Sequence, residues 1–350
     1  MERLIFGDAF LVLITSLVFV AALFISEKTE LVPVAGGEYR EGVLGQPTFV
    51  NPVLVNGNDA DRDLVKILFR SLTDLAETIK PNDDGKVWTV RLKEGSSWHD
   101  GGPVTSDDVI FTIQTIQNPD SRSPLYSVWQ GVAAERVSER EIKLLLPNPY
   151  SFFRNTLSEL RPIPKHLFAS IPPANLRLSS YNLEPIGSGP FKYLSLEKRR
   201  DGFITDYYLM TNKGYVGKKP YLERLVFKFY DDEDGLIRAF NSGAIDGFGL
   251  ANEKSLSKID VKHQLFEIQM PRYYAIFFNQ YANPALTDKN VRLALDYAIN
   301  KREIIEKFFD NYAVIALGPL VPGMKGYAPP ANKEDNFSLE KAEAVLESGG

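Results

Sequence analysis

The strongest pattern along the chain is an unbroken apolar run at residues 9–25, closed abruptly by Ser26, Glu27 and Lys28. As a helix it rises about 25 Å at ~1.5 Å per residue, slightly less than a hydrocarbon core of about 30 Å. It predicts a transmembrane anchor at 9–25, with residues 1–8 in the cytoplasm and residues 26–37 as a linker. A cleaved leader is the alternative: Val20 and Ala22 suit a cleavage site, but Glu2 and Asp8 offset Arg3 where a leader is basic. Either reading places the rest of the chain outside the cytoplasm.

From residue 38 the pattern switches repeatedly between periods of 2 and 3.6. Residues 38–50 read as strand and turn, punctuated by Gly42, Gly45 and Pro47. Leu64, Ile67, Leu68 and Leu72 form a helical stripe at 59–72 behind an acidic first turn. Trp88, Val90 and Leu92 alternate with Thr89, Arg91 and Lys93, which predicts a half-buried strand. Thr105, three residues before Asp108, predicts a capping box opening a helix over 105–118 that Pro119 ends. A hairpin strand over 137–146 and a short helix within 162–171 follow. Strands are then predicted at 191–196, 203–210 and 222–230, and a helix at 231–242 with Gly243 as its stop. Further strands are predicted at 261–269 and 274–278, an amphipathic helix at 287–300, and a last helix from about Ser338.

Composition narrows the function classes. Cysteine is absent, which excludes disulfides, thiolate metal sites and a cysteine nucleophile. A net charge of -5 gives no electrostatic footprint for nucleic acid. The three histidines, His99, His166 and His263, are far apart and lack metal-site spacing, so no metal or other cofactor is expected.

Several ordered strings carry a family likeness. Asp74-Leu75-Ala76-Glu77 is followed by Asp84-Gly85, by Arg91-Leu92-Lys93-Glu94-Gly95 and by Trp98-His99-Asp100-Gly101. Pro103-Val104-Thr105 then leads to Asp107-Asp108-Val109, and Pro185-Ile186-Gly187-Ser188-Gly189-Pro190-Phe191 comes later. Gly243-Ala244-Ile245-Asp246, Phe278-Asn279 and the helix around Val291, Arg292 and Ala294 complete the set. Together they resemble the family 5 extracellular solute-binding proteins, the peptide, dipeptide and nickel receptors of bacterial ABC importers, from about residue 38 to 350.

The resemblance implies an α/β, two-lobed, periplasmic-binding-protein-like (type II) clamp with mixed sheets. Residues 38–270 would form the first lobe, with 59–180 as an inserted subdomain, and 271–350 the start of an incomplete second lobe. It implies a non-enzymatic substrate-binding subunit that captures oligopeptides or dipeptides between the lobes and hands them to ABC permease subunits. A ligand-sensing receptor of the same fold is an alternative, as is binding of a nickel chelate or oligosaccharide. Three departures stand out: no lipidated cysteine, a missing strand-turn segment between Leu72 and Asp74, and an end short of the family's length. The groups that fix peptide termini are expected in the part beyond residue 350.

Within this reading the candidate ligand contacts are Phe49 and Asn51 after the first strand, Trp129 as an aromatic wall, and Ser188 and Gly189 on a crossover. Tyr273, Tyr274 and Asn279 join them from the entry to the second lobe. Most of the shared strings are expected to hold the fold, with His99-Asp100-Gly101 as a turn. Gly187 and Gly189 are expected to provide positive φ and close backbone approach. A remote alternative is a serine acyl-hydrolase, because Ser195-Leu196-Glu197-Lys198 and Ser255-Leu256-Ser257-Lys258 both fit S-x-x-K.

Overall fold

The structure, a computed structural model, describes residues 15–16, 32–250, 253–268, 274–309, 312–316, 318, 327–328 and 337–348. Apart from Thr15 and Ser16, the predicted anchor at 9–25 lies outside the described residues. Among the described residues no helix is long and apolar enough to cross a membrane. The described chain divides into two compact units. One runs to Leu236 and adds Gly243–Phe248, and the other takes Ile237–Ser242 and the residues from Gly249 onward.

The first unit opens with β1 (Glu38–Leu44) and α1 (Asp59–Leu68). Asn58 caps α1, its side-chain oxygen accepting from the Ala60 and Asp61 N–H groups, and Lys66 sits in the last turn where the helix dipole favours a cation. Its inward stripe buries Ala60, Leu64, Val65 and Leu68. Each such leucine contributes roughly 1.5–3 kcal/mol by leaving water. A one-turn helix α2 (Leu72–Leu75) stands where the family-specific strand-turn segment was expected to be missing.

Strand β2 (Ala76–Pro81) then pairs antiparallel with β3 (Val87–Leu92). Helix α3 (Ser106–Gln117), a one-turn α4 (Tyr126–Trp129) and the hairpin β4 (Ala133–Ser138) and β5 (Glu141–Leu145) complete a four-stranded antiparallel sheet, ordered β2-β3-β5-β4. The alternation in β3 is as expected, with Trp88, Val90 and Leu92 buried. The cap of α3 also forms, since the Asp108 carboxylate accepts the Thr105 N–H at 2.8 Å. That carboxylate also takes the Lys165 N–H at 2.8 Å, tying α3 to α6 (Lys165–Phe168). α5 (Phe153–Glu159) precedes α6.

Strands β6 (Phe191–Lys198), β7 (Ile204–Thr211) and β8 (Arg224–Tyr230), helix α7 (Glu233–Asn241) and the short β9 (Gly247–Phe248) follow. They form a five-stranded mixed sheet with β1, ordered β6-β7-β8-β1-β9, in which β1 runs parallel to both of its neighbours. The first strand of the chain is therefore interior to the sheet. Gly42 on β1 permits this packing: a Cβ there would lie 2.5 Å from Ile245 Cδ1 and 2.7 Å from Leu236 Cδ2. Gly243 ends α7 at a φ of +72°, the left-handed stop expected of it.

The second unit holds α8 (Lys289–Ala298), α9 (Lys301–Phe309) and α10 (Leu339–Ser348) among its described residues. Asp288 caps α8 through the Asn290 N–H, and Lys341 of α10 lies over the Tyr297 ring at 6.0 Å. The strands expected at 261–269 and 274–278 are a correction: their described residues, 261–268 and 274–278, are neither strand nor helix. Phe266, Ile268, Tyr274, Ile276 and Phe277 are all exposed. A period-2 pattern prepares a strand, but the ladder exists only when a neighbour supplies hydrogen bonds, and none does so among the described residues. Several elements escaped the pattern, among them β2, α5 and α9. β2 carries Glu77, Thr78 and Lys80 on an exposed edge, and α5 is too short for a helical period to register.

Candidate functional site

Apart from Trp129, the candidate contacts of the first unit lie on the loop after β1 and on the segment entering β6. The loop is shaped by one buried acid, Asp61, on the first turn of α1. Its Oδ1 accepts the Thr48 N–H at 2.7 Å and the Phe49 N–H at 3.0 Å, and its Oδ2 accepts the Thr48 hydroxyl at 2.7 Å. Asp61 is 1% exposed, so these bonds replace its hydration. Asn58 closes the other end by donating to the Gln46 carbonyl at 2.9 Å. Sequence reasoning missed Asp61, because an acidic residue in a first helical turn reads as dipole compensation.

Phe49 is half-buried, and the Arg177 guanidinium lies over its ring at 5.0 Å. Asn51 is 1% exposed. Its amide donates to Asn182 Oδ1 at 3.0 Å, and its Oδ1 accepts the Val53 N–H at 3.0 Å. The Val50 N–H reaches the Asn182 carbonyl at 2.7 Å, so the loop is tied to the chain just ahead of the crossover. Asn51 is thus consumed by internal bonds and presents no free side chain.

The crossover itself is clamped by His99. The His99 N–H donates to the Gly187 carbonyl at 2.8 Å, and the Gly187 N–H donates to His99 Nδ1 at 3.0 Å. His99 Nε2 donates to the Gly189 carbonyl at 3.2 Å, which fixes the neutral Nε2–H tautomer. Burial pushes the imidazole pKa down to about 4. Asn212 Nδ2 gives the Gly189 carbonyl a second bond at 3.0 Å. The expected turn at His99-Asp100-Gly101 forms, with Gly101 at a φ of +94°.

Gly187 and Gly189 do not adopt positive φ, which corrects half of their expectation. The close approach is real. A Cβ at Gly187 would stand 1.9 Å from the Leu68 carbonyl oxygen, and one at Gly189 2.2 Å from that of Ile67. The Gly189 N–H donates to the Leu68 carbonyl at 2.7 Å. Between the two glycines, Ser188 is 3% exposed and its hydroxyl accepts the Arg70 N–H at 3.2 Å. The signature glycines therefore let the crossover lie against the end of α1.

Trp129 does not form an aromatic wall within its unit. It is 2% exposed and packs edge-on to Phe153 with ring centroids 5.9 Å apart. Tyr274 and Asn279 belong to the second unit. Tyr274 is 74% exposed and its ring centroid is 5.3 Å from that of Phe309, while Asn279 Oδ1 accepts the N–H groups of Tyr281 and Ala282. Tyr273 lies outside the described residues.

The S-x-x-K strings lack the geometry of acyl transfer. Ser195 and Lys198 lie on β6, where residues three apart point to opposite faces, and Ser255 is buried in a short 3-10 stretch. Among the described residues, no three His, Asp or Glu side chains are grouped to hold a metal ion.

Residues 72–350 match the profile of the bacterial extracellular solute-binding proteins, family 5 Middle. The chain belongs to this family. It is 28% identical over 334 residues to the oligopeptide-binding protein AppA of Bacillus subtilis, spanning 91% of this chain and 60% of AppA. The structure of AppA in complex with a nonapeptide superposes with a TM-score of 0.69 at 26% identity, over 91% of this chain and 65% of that one. The ABC transporter substrate-binding protein CtaP of Listeria monocytogenes gives a TM-score of 0.74 at 29% identity, over 90% and 66%. NikZ of Campylobacter jejuni, solved in complex with Ni(L-His), gives 0.70 at 28% identity, over 89% and 63%. The chain thus spans 60–66% of the length of these relatives. Family 5 is a solute-binding family rather than an enzymatic one, and its fold is the mixed-sheet α/β architecture seen here.

Proposed function

We propose that this protein is the substrate-binding subunit of an ABC importer for peptides, working outside the cytoplasm and delivering its ligand to permease subunits in the membrane. The observation that carries this reading is the likeness to AppA over 91% of this chain, in sequence and in a fold solved with a nonapeptide bound. The apolar run at 9–25 serves as the membrane anchor in this proposal, in the absence of any cysteine that could carry a lipid.

Among the candidate contacts, Phe49, Tyr274 and Asn279 keep accessible surface and are proposed to touch ligand, together with Tyr273. Asn51, Ser188 and Gly189 act by holding the loop and crossover that present them. Binding without turnover follows: affinity comes from contacts made in the bound state, and nothing at this site activates a nucleophile.

A nickel chelate is the second reading, favoured by the equal similarity of NikZ with Ni(L-His). Thermal unfolding of the chain from Val34 onward separates the two. Ligand at 100 times its dissociation constant adds about 2.7 kcal/mol of stability. A stabilisation by peptide pools of two to eight residues, and none by Ni(L-His), is the expected result. Stabilisation by the chelate alone replaces the substrate, and a response to neither removes the peptide reading.

A further inference from the structure

Apart from the proposed peptide contacts, the first unit carries a second concavity where the His99 turn meets the open end of the β6–β7 hairpin. It encloses about 340 Å³, the small end of the range for ligand pockets. Lys192 of β6 and Lys213, two residues beyond β7, both line it, with Ser97, Trp98 and Asn212. Its polar groups are unequal in kind. Neither lysine side chain has an ion pair or hydrogen bond among the described residues, and no carboxylate lines the concavity.

Several of the acceptors nearby are already engaged. Asn212 Oδ1 takes the Gly214 N–H at 3.0 Å, the Gly189 carbonyl carries two donors, and both ring nitrogens of His99 are engaged. Asp100, which follows His99 in the turn, is held by His166 Nε2 at 2.7 Å and by the Gly102 N–H at 3.1 Å. Donors are left over. The Trp98 indole N–H is buried with no hydrogen-bond partner in a side chain 1% exposed. An unmatched buried donor costs about 1–3 kcal/mol, and two unpaired ammonium groups beside it favour negative charge.

We propose that this concavity between the His99 turn and the β6–β7 hairpin binds a small anion, a phosphate or carboxylate group, through Lys192 and Lys213. The site is separate from the peptide contacts proposed above and does not depend on them. The test is to titrate the whole chain with phosphate, and separately with acetate and succinate, at ionic strength held constant with sodium chloride. Calorimetry and thermal unfolding follow binding.

Saturable stabilisation of the natural chain is expected, with an apparent affinity at least tenfold weaker in the double variant Lys192→Gln, Lys213→Gln. The peptide-pool response is read alongside and is expected to be the same in both chains. Response to phosphate alone identifies a phosphate group as ligand; response to the carboxylates identifies a carboxylate. Equal titrations for the two chains, or no saturable response to any of the three anions, overturn the proposal. Both lysine side chains are free of partners among the described residues, so their replacement leaves the fold intact as judged by the unliganded melting curve.

Discussion

His99 and Gly187 hold each other twice, backbone N–H to carbonyl at 2.8 Å and Gly187 N–H to the imidazole Nδ1 at 3.0 Å. Eighty-eight residues separate the two in the chain. The pair fastens the turn after β3 to the crossover entering β6, so the four-stranded and five-stranded sheets share one joint. The imidazole half of that joint works only while the ring is neutral, because a protonated Nδ1 cannot accept a hydrogen bond.

Stability should therefore fall on acidification over a defined window. The unfolded chain protonates this histidine near pH ~6.5, whereas the folded protein does so only at about 4. Between those values the unfolded state binds more protons, so stability is full above the upper value and is lost as pH falls toward the lower. The loss is on the order of 3 kcal/mol over the whole window and about 2 kcal/mol between pH 7 and pH 5. Denaturant titrations at pH 7 and pH 5 measure it, and His99→Gln should flatten the slope relative to the natural chain. An unchanged slope would place the titrating group elsewhere.

Replacing Gly189 by alanine should destabilise the protein by roughly 2–3 kcal/mol, since overpacking against backbone cannot relax by a rotamer change. Gly57→Ala is the control, as a Cβ there meets nothing within 4 Å. Its melting temperature should barely move.

Asp61→Ala removes the acceptor of three hydrogen bonds that shape the loop at Thr48 and Phe49. A cost of about 2–4 kcal/mol is expected, because bonds to a charged group are stronger than neutral ones and two part-buried N–H groups lose their partner. Peptide affinity, read by calorimetry, should weaken as well.

Trp129→Ala should cost about 3–5 kcal/mol through the cavity it leaves, with ligand affinity unchanged in the fraction that folds. Tyr274→Ala should do the reverse, altering stability by less than about 0.5 kcal/mol while weakening peptide binding. A loss of affinity in Trp129→Phe at preserved stability would return that residue to the ligand site.

Local chemistry was legible in the chain. The period of β3, the cap at Thr105 and the stop at Gly243 are settled within a few residues of themselves, and each stands in the fold as read. Partnerships over distance were not. Asp61 resembled any acidic first turn, and the donors it accepts from lie at residues 48 and 49. Trp129 followed a proline and a tyrosine as an exposed platform would, but the four-stranded sheet brings Phe153 against it. Gly187 and Gly189 were read as needing both positive φ and close backbone approach, and only the second holds. Glycine is required there by the proximity of the Ile67 and Leu68 carbonyls, not by a left-handed backbone. The strand pattern at 261–268 was real as a pattern, and a pattern does not create its own neighbour.

The interior position of β1 has a consequence for the order in which the molecule is made. Its two neighbours, β8 and β9, begin at residues 224 and 247, whereas the four-stranded sheet is complete by residue 145. At ~5–20 residues per second of synthesis, β1 waits roughly 10–40 s for its first partner. During that interval the four-stranded sheet can close on local contacts alone. The earliest of the described strands is among the last to find its place.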